Sequence, residues 1–324
     1  MNANALDRYA RQTMLPDVGP SGQSRLAAAN VLVIGAGGLG CAVLPYLCAA
    51  GVGHLTIVDH DRVEEGNLHR QPLYRMTDIG RLKAEAARDA LSTLNPDIVV
   101  RALHERLTPA NAPALVAVAD VIVDAADLFA VTYTLSDACM RAHKPLVSAS
   151  VLGLSGYVGV FCGDSPSYRA VFPDIPAQVG SCATSGVLGT AVGVMGTLQA
   201  HLTLATLLGL PSSARVITFD FRTLRIGGFS FAAAREPDDS GPHFIAPSQI
   251  TASDITVDLR GVDEAPVPAF PSSVRISPDA MDHLALEPSR RIVLCCRSGV
   301  RAWRAAAKLR ARGVTDLALI ALGD

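Results

Sequence analysis

Val31-Leu32-Val33-Ile34 runs without a break into Gly35-Ala36-Gly37-Gly38-Leu39-Gly40. The apolar run reads as a buried strand, and Gly35, Gly37 and Gly40 fit GxGxxG between a strand and a helix, the context a nucleotide-binding turn requires. Glycine lets the backbone approach a phosphate, and the helix that comes next, over 39–50, presents unpaired N–H groups and the positive end of its dipole. A strand at 54–58 completes a βαβ unit. Asp59 stands 19 residues past Gly40 at the end of that strand, where a carboxylate can bind ribose hydroxyls. On these residues alone, NAD fits as well as ATP.

Working outward, the alternation continues with a helix at 80–94 ended by Asn95-Pro96, strand 98–102, helix 111–117, strand 120–124, helix 131–142 and strand 145–149. Such alternation predicts a doubly wound α/β fold, Rossmann-like, with a mostly parallel sheet. Segments 155–162, 215–220 and 224–231 lack intervening helices and predict an antiparallel extension. Upstream, 7–29 reads as an amphipathic helical arm. The stretch 233–248 contains Glu236-Pro237-Asp238-Asp239-Ser240-Gly241-Pro242 and reads as a linker. Beyond it, strand 255–259, a helix near 278–285, strand 292–295, helix 301–312 and strand 317–321 predict a second, small α/β unit. The predicted division is 1–232, linker 233–248, and 249–324.

Composition narrows the function. With 49% hydrophobic against 18% charged residues, a large core is feasible and disorder is not expected. The net charge of −2 supplies no field for nucleic acid or a membrane surface. Residues 176–214 hold no Asp, Glu, Lys or Arg and are long enough to span a bilayer. Gln199, His201 and the threonines favour a buried helix instead, with Gly186, Gly189, Gly193 and Gly196 on one closely packed face. The absence of a signal-like start and the seven cysteines without framework spacing point to a reduced, cytoplasmic setting. No CxxC pair occurs, so no cysteine zinc site is expected.

The residues beyond the turn favour a triphosphate over a dinucleotide. Asp59-His60-Asp61 leads to Asn67-Leu68-His69-Arg70-Gln71, and Lys83 starts the next helix. A second carboxylate and two cations exceed what NAD needs, whereas ATP needs cations and Mg²⁺, for which Asp127 after strand 120–124 is a natural oxygen ligand. The candidate nucleotide-contacting residues are therefore Gly35, Gly37, Gly38, Gly40, Asp59, Asp61, Asn67, Arg70, Gln71 and Lys83.

A second chemistry stands near the other end. Ile292-Val293-Leu294-Cys295 runs into Cys296-Arg297-Ser298-Gly299-Val300-Arg301. Cys296 between a strand and a helix can collect backbone N–H groups around its sulfur, and Arg297 and Arg301 add positive potential, conditions that favour a thiolate or persulfide anion. Cys295 reads as the last strand residue, facing the core; Cys41, Cys48, Cys139 and Cys162 also read as core positions.

Several linked motifs over roughly 5–230 resemble the ThiF/MoeB/HesA group of ubiquitin-activating-type adenylyltransferases: Arg8-Tyr9-Ala10-Arg11-Gln12, Gly35–Gly40, Asp59-His60-Asp61, Asn67–Gln71, Gly80-Arg81-Leu82-Lys83 and Gly180-Ser181-Cys182. The resemblance implies a homodimer that adenylates the C-terminal Gly-Gly carboxylate of a ubiquitin-like sulfur carrier. It implies phosphate contacts from Asn67, Arg70 and Lys83, Mg²⁺ at Asp127, and Arg11 reaching into a second subunit's site. It also implies that Cys182 receives the activated carrier. The chain departs from the family in having Leu128 after Asp127 where Asn is usual, and Ser167-Tyr168-Arg169-Ala170 where many relatives carry a zinc-binding CxxC. Residues 249–324 resemble a compact rhodanese domain, through the Cys296–Arg301 loop and Asp258-Leu259-Arg260. That implies a persulfide on Cys296, loaded from thiosulfate or a cysteine desulfurase. The alternative is adenylation of a peptide or small acid without sulfur transfer, the small unit being inactive or regulatory.

Overall fold

The computed structural model describes residues 8–175, 186–238, 241–283 and 290–323. Among the described residues, its N-terminal arm includes α1 (Ala10–Thr13) and α2 (Gly19–Ala28), so the one continuous helix predicted over 7–29 is broken. Pro16 lies in the break, and Gly19 enters α2 with φ +55°.

Then come β1 (Asn30–Ile34), α3 (Gly38–Ala49), β2 (His54–Val58), α4 (Lys83–Leu94), β3 (Val99–Leu103), α5 (Ala112–Ala117), β4 (Val121–Asp124) and α6 (Phe129–Ala142). After these are β5 (Pro145–Leu152), β6 (Ser155–Cys162), α7 (Tyr168–Val171), α8 (Gly189–Leu208), β7 (Arg215–Asp220) and β8 (Arg225–Ser230). The sheet order is β3-β2-β1-β4-β5-β6-β7-β8. β1 to β5 pair in parallel, and β6, β7 and β8 add on antiparallel, as predicted, although α7 and α8 do intervene between β6 and β7.

Side chains alternate between the two faces of each parallel strand, and both faces are covered, which is why these strands read as unbroken apolar runs. Val31, Val33, Val121 and Val123 pack with α3, α4 and α8; Leu32, Ile34 and Ile122 pack with α5 and α6. The chain order reverses between β1 and β4, so a crevice opens outside their carboxyl ends.

The 20-residue α8 is the apolar stretch long enough to cross a bilayer, and here it is a core helix. It lies on α3 and β5, and the fully buried Gln199 amide donates to the carbonyls of Asp124 (2.6 Å) and Val147 (3.0 Å). Only part of the predicted glycine face makes close contact. Gly189 and Gly196 press on the His69 and Leu39 carbonyls, Gly193 has open space, and Gly186 precedes the helix with φ +68°.

A second sheet of parallel strands has the order β11 (Val274–Arg275), β10 (Ile255–Asp258), β12 (Ile292–Cys296), β13 (Leu317–Ala321) and β9 (His243–Phe244). Helix α9 (Val300–Ala311) covers one face. Residues 278–283 form a 3-10 helix where an α-helix near 278–285 is predicted; 284 and 285 lie outside the described residues. The stretch 233–248 is more than a tether, because it supplies edge strand β9.

The two sheets share one apolar cluster. The Trp303 ring lies 4.5 Å from that of Tyr133 on α6, and the Arg169 guanidinium stands over both rings. Arg169 Nε donates to Asp137 (2.6 Å), whose other oxygen lies 2.8 Å from His243 Nδ1. Ser167 donates from its N–H (2.7 Å) and hydroxyl (2.6 Å) to Glu236.

Candidate active site

The glycine turn closes at the carboxyl end of β1. Gly35 adopts φ +98°, and an added Cβ would lie 2.7 Å from the Ala125 carbonyl oxygen. Gly40 sits so close over the Gly35 carbonyl that a side chain would displace the turn. The buried Asp59 holds the turn from below: its carboxylate accepts the N–H of Ala36 (2.7 Å) and of Asp61 (2.8 Å). The Tyr74 hydroxyl donates to the Ala36 carbonyl at 2.7 Å, with the carbonyl of Lys83, the first residue of α4, 3.2 Å away. Burial pushes the Tyr74 hydroxyl far above its ordinary range, so it is a neutral donor.

Around this turn lies a cleft of about 940 Å³. Of the predicted nucleotide contacts, Gly35, Gly37, Gly38, Asp59, Asp61, Asn67, Arg70, Gln71 and Lys83 line it, with Asp127. Gly40 does not; it packs the first turn of α3 against the loop. Lys83 Nζ donates to Asp61 at 2.9 Å; the lysine side chain is 7% exposed and the aspartate 53%, so the ammonium is anchored from its solvent side. Arg70 is oriented by Asn67 Oδ1 (3.3 Å) and the Gly66 carbonyl (3.4 Å), and Gln71 Nε2 reaches the same Asn67 oxygen at 3.1 Å. Gln71 Oε1 is buried without a hydrogen-bond partner. Asp127 is exposed on the cleft wall; among the described residues, the cluster with metal-ligand spacing is Asp59-His60-Asp61 and excludes it.

Arg11 is not brought to this cleft; it is exposed on α1 beside Met14. Its neighbours anchor the arm instead: the Tyr9 hydroxyl accepts from Asn95 at 2.7 Å, and Gln12 donates to the Ala50 carbonyl at 3.0 Å. Cys182 lies outside the described residues.

Asp124, three residues before Asp127, carries no motif that marks it in the sequence. It is buried at the end of β4 and accepts from Thr132 Oγ1 (2.7 Å) and Ser148 Oγ (2.9 Å). Burial outweighs these donors and lifts its carboxyl to about 6. The folded protein therefore keeps a proton there that the unfolded chain releases. The resulting stability is fully present below about pH 3.8 and is lost as pH rises through about 6. Relative to Asp124→Asn, the wild type is expected to lose on the order of 3 kcal/mol of unfolding free energy across that window. Urea unfolding of both proteins at several pH values checks this, and parallel profiles would refute it.

At the second site, Cys296 rather than Cys295 is the last strand residue, because β12 runs one residue further than predicted. Its thiol is fully buried below the N-terminus of α9 and accepts the Ala302 N–H at 3.4 Å. Arg301 lies beside this sulfur, paired with Glu264, whose carboxyl it draws below the ordinary range. Arg297, Ser298 and Gly299 form the turn into α9, Val300 is the first residue of that helix, and only Arg297 of the loop lines the large cleft. Cys295 points to the opposite face, and burial raises its thiol to about 12. Cys41, Cys48, Cys139 and Cys162 are buried, as predicted.

A sequence model of the ThiF family matches residues 9–242. The chain is 44% identical over 238 residues to "Adenylyltransferase and sulfurtransferase MOCS3" of Culex quinquefasciatus, covering 70% of this chain and 54% of that protein. It is 46% identical over 236 residues to the Bos taurus protein of the same name, covering 70% and 52%. It is 45% identical over 225 residues to the "Sulfur carrier protein adenylyltransferase" of Thermus thermophilus, covering 66% and 83%. The match therefore spans about half the length of the MOCS3 relatives. In fold, the chain is similar to E. coli MccB solved with AMPCPP and MccA (TM-score 0.62, 21% identity, 72% of this chain and 74% of that one). It is similar also to PaaA (TM-score 0.61, 21% identity, 71% and 75%).

Proposed function

The chain belongs to the ThiF family, and from that premise we propose that it uses ATP and Mg²⁺ to adenylate the C-terminal Gly-Gly of a ubiquitin-like sulfur carrier. The Cys296 persulfide then converts the acyl-adenylate into a thiocarboxylate. The observation that carries the first half is the convergence of Asp59, Arg70, Lys83 and Asp127 on one cleft around the glycine turn. The relatives' names, adenylyltransferase and sulfurtransferase, support the pairing of the two activities.

The geometry suggests the division of labour. Asp59, fixed by two backbone donors, faces the ribose hydroxyls, and the first turn of α3 offers its N–H groups to the phosphates. Arg70 and Lys83 offset the negative charge that grows on pyrophosphate as the carrier carboxylate oxygen bonds to the α-phosphorus. Asp127, an exposed oxygen donor, suits Mg²⁺, which would neutralise the same leaving group. In a homodimer, Arg11 of one subunit, free of the cleft in its own chain, is available to the other's. Cys182 is the proposed acceptor or resolving thiol, and thiosulfate or a cysteine desulfurase the sulfur donor.

The full burial of Cys296 favours a second reading, adenylation of a peptide or small acid with an inactive small unit. ATP–pyrophosphate exchange tests the adenylation that both readings share. Mg²⁺-dependent exchange stimulated by a carrier ending in Gly-Gly supports the first reading. Exchange indifferent to any such carrier, but stimulated by another carboxylate, supports the second.

A further inference from the structure

The parallel strands of both sheets turn their carboxyl ends to the same cavity. Gly35, Asp59 and Asp127 come after β1, β2 and β4, while Arg297 and Gly323 come after β12 and β13; all five line the one cleft. The second sheet reaches this place on a short leash. Its edge strand β9 begins at His243, thirteen residues after β8 ends at Ser230, and packs on α6. Phe244 of that strand lies over Gly299 of the sulfur loop, whose other neighbour is Ala130 of α6. Arg106, beyond β3, stands against Gly323 at the far end of β13. The Tyr133–Trp303–Arg169 stack and the Asp137–His243 pair fix the same orientation.

We propose that both half-reactions occur within one chain: the acyl-adenylate made on the large sheet is attacked across this shared cleft by the Cys296 persulfide of the same polypeptide. The inference rests on the proposed function. Cys296 itself does not line the cleft: its Sγ is fully buried under the Ala302 N–H, and of its loop only Arg297 reaches the lining. The reacting atom is therefore the outer sulfur of the persulfide, about 2 Å beyond Sγ. Loading begins with thiolate attack on a sulfane donor: Cys296 takes one sulfur from thiosulfate and sulfite leaves. The outer sulfur then bonds to the acyl carbon, the acyl–oxygen bond breaks, and AMP leaves with the electron pair. The resulting acyl disulfide is split by a thiol reductant, which supplies two electrons, frees the carrier thiocarboxylate and returns Cys296 to the thiol.

Subunit complementation tests this. Cys296→Ala cannot carry sulfur, and Arg70→Ala is impaired in adenylation. The two are co-expressed with different tags and the mixed species isolated, with the separately purified proteins also combined. Persulfide formation by Arg70→Ala and pyrophosphate exchange by Cys296→Ala show that each is folded. Transfer within one chain predicts no more thiocarboxylate than the sum of the two variants alone, at least about tenfold below wild type. Clear recovery above that sum would overturn it. A wild type that exchanges pyrophosphate but yields no thiocarboxylate would instead remove the sulfur-transfer reading, and this inference with it.

Discussion

Arg70→Ala is expected to lower carrier-dependent ATP–pyrophosphate exchange by on the order of 10²–10³-fold, the usual cost of removing one preorganised charge from a developing anion. The guanidinium lines the cleft and is aimed by Asn67 and the Gly66 carbonyl, so its position is set before the nucleotide arrives. Its hydrogen bonds run to Gly66, Asn67 and His69 of its own loop, and the variant should unfold within a few degrees of wild type. Arg70→Lys restores charge without the planar fork and should recover only part of the rate. Lys83 is expected to be the more damaging site for stability, since its side chain is buried against Asp61. A loss below about threefold in Arg70→Ala would mean that the pyrophosphate leaves elsewhere.

Cys296→Ala is expected to abolish thiocarboxylate formation, by at least about 10²-fold, while leaving pyrophosphate exchange within about twofold of wild type. The two activities separate because the residue stands on the second sheet, apart from the glycine turn and its cations. Cys295→Ala is the matched control. That thiol faces the opposite side of the same sheet and burial lifts it to about 12, so it is protonated at neutral pH. Thiocarboxylate is read by intact mass of the carrier, in which one oxygen is exchanged for sulfur. Loss of product in Cys295→Ala with retention in Cys296→Ala would reverse the assignment.

The parts legible in the sequence are those with local causes. β1, the glycine turn and α3 are readable because a strand buried on both faces is an unbroken apolar run and the turn demands glycine. The antiparallel extension is readable because no helix separates 215–220 from 224–231. Three features depend on distant partners and leave no local signal. β9 is two residues long and becomes a strand only because β13 offers it an edge. Asp124 differs from Asp127 only in where α6 and β5 place Thr132 and Ser148, which enclose one carboxylate and leave the other open. The seating of the small sheet depends on Tyr133, Arg169, His243 and Trp303, four residues scattered along the chain with no spacing in common. The positions of Arg70 and Lys83 are readable as motifs, but the anchors that aim them are not.

In the proposed function one chain activates a carrier carboxylate and then replaces its oxygen with sulfur. The measurement that tests it most directly is the intact mass of a Gly-Gly carrier after incubation with the wild-type protein, Mg·ATP, thiosulfate and a thiol reductant. The expected result is a carrier with one oxygen exchanged for sulfur, formed only when ATP and the sulfur donor are both present. A carrier that forms the adenylate but never gains sulfur would contradict it.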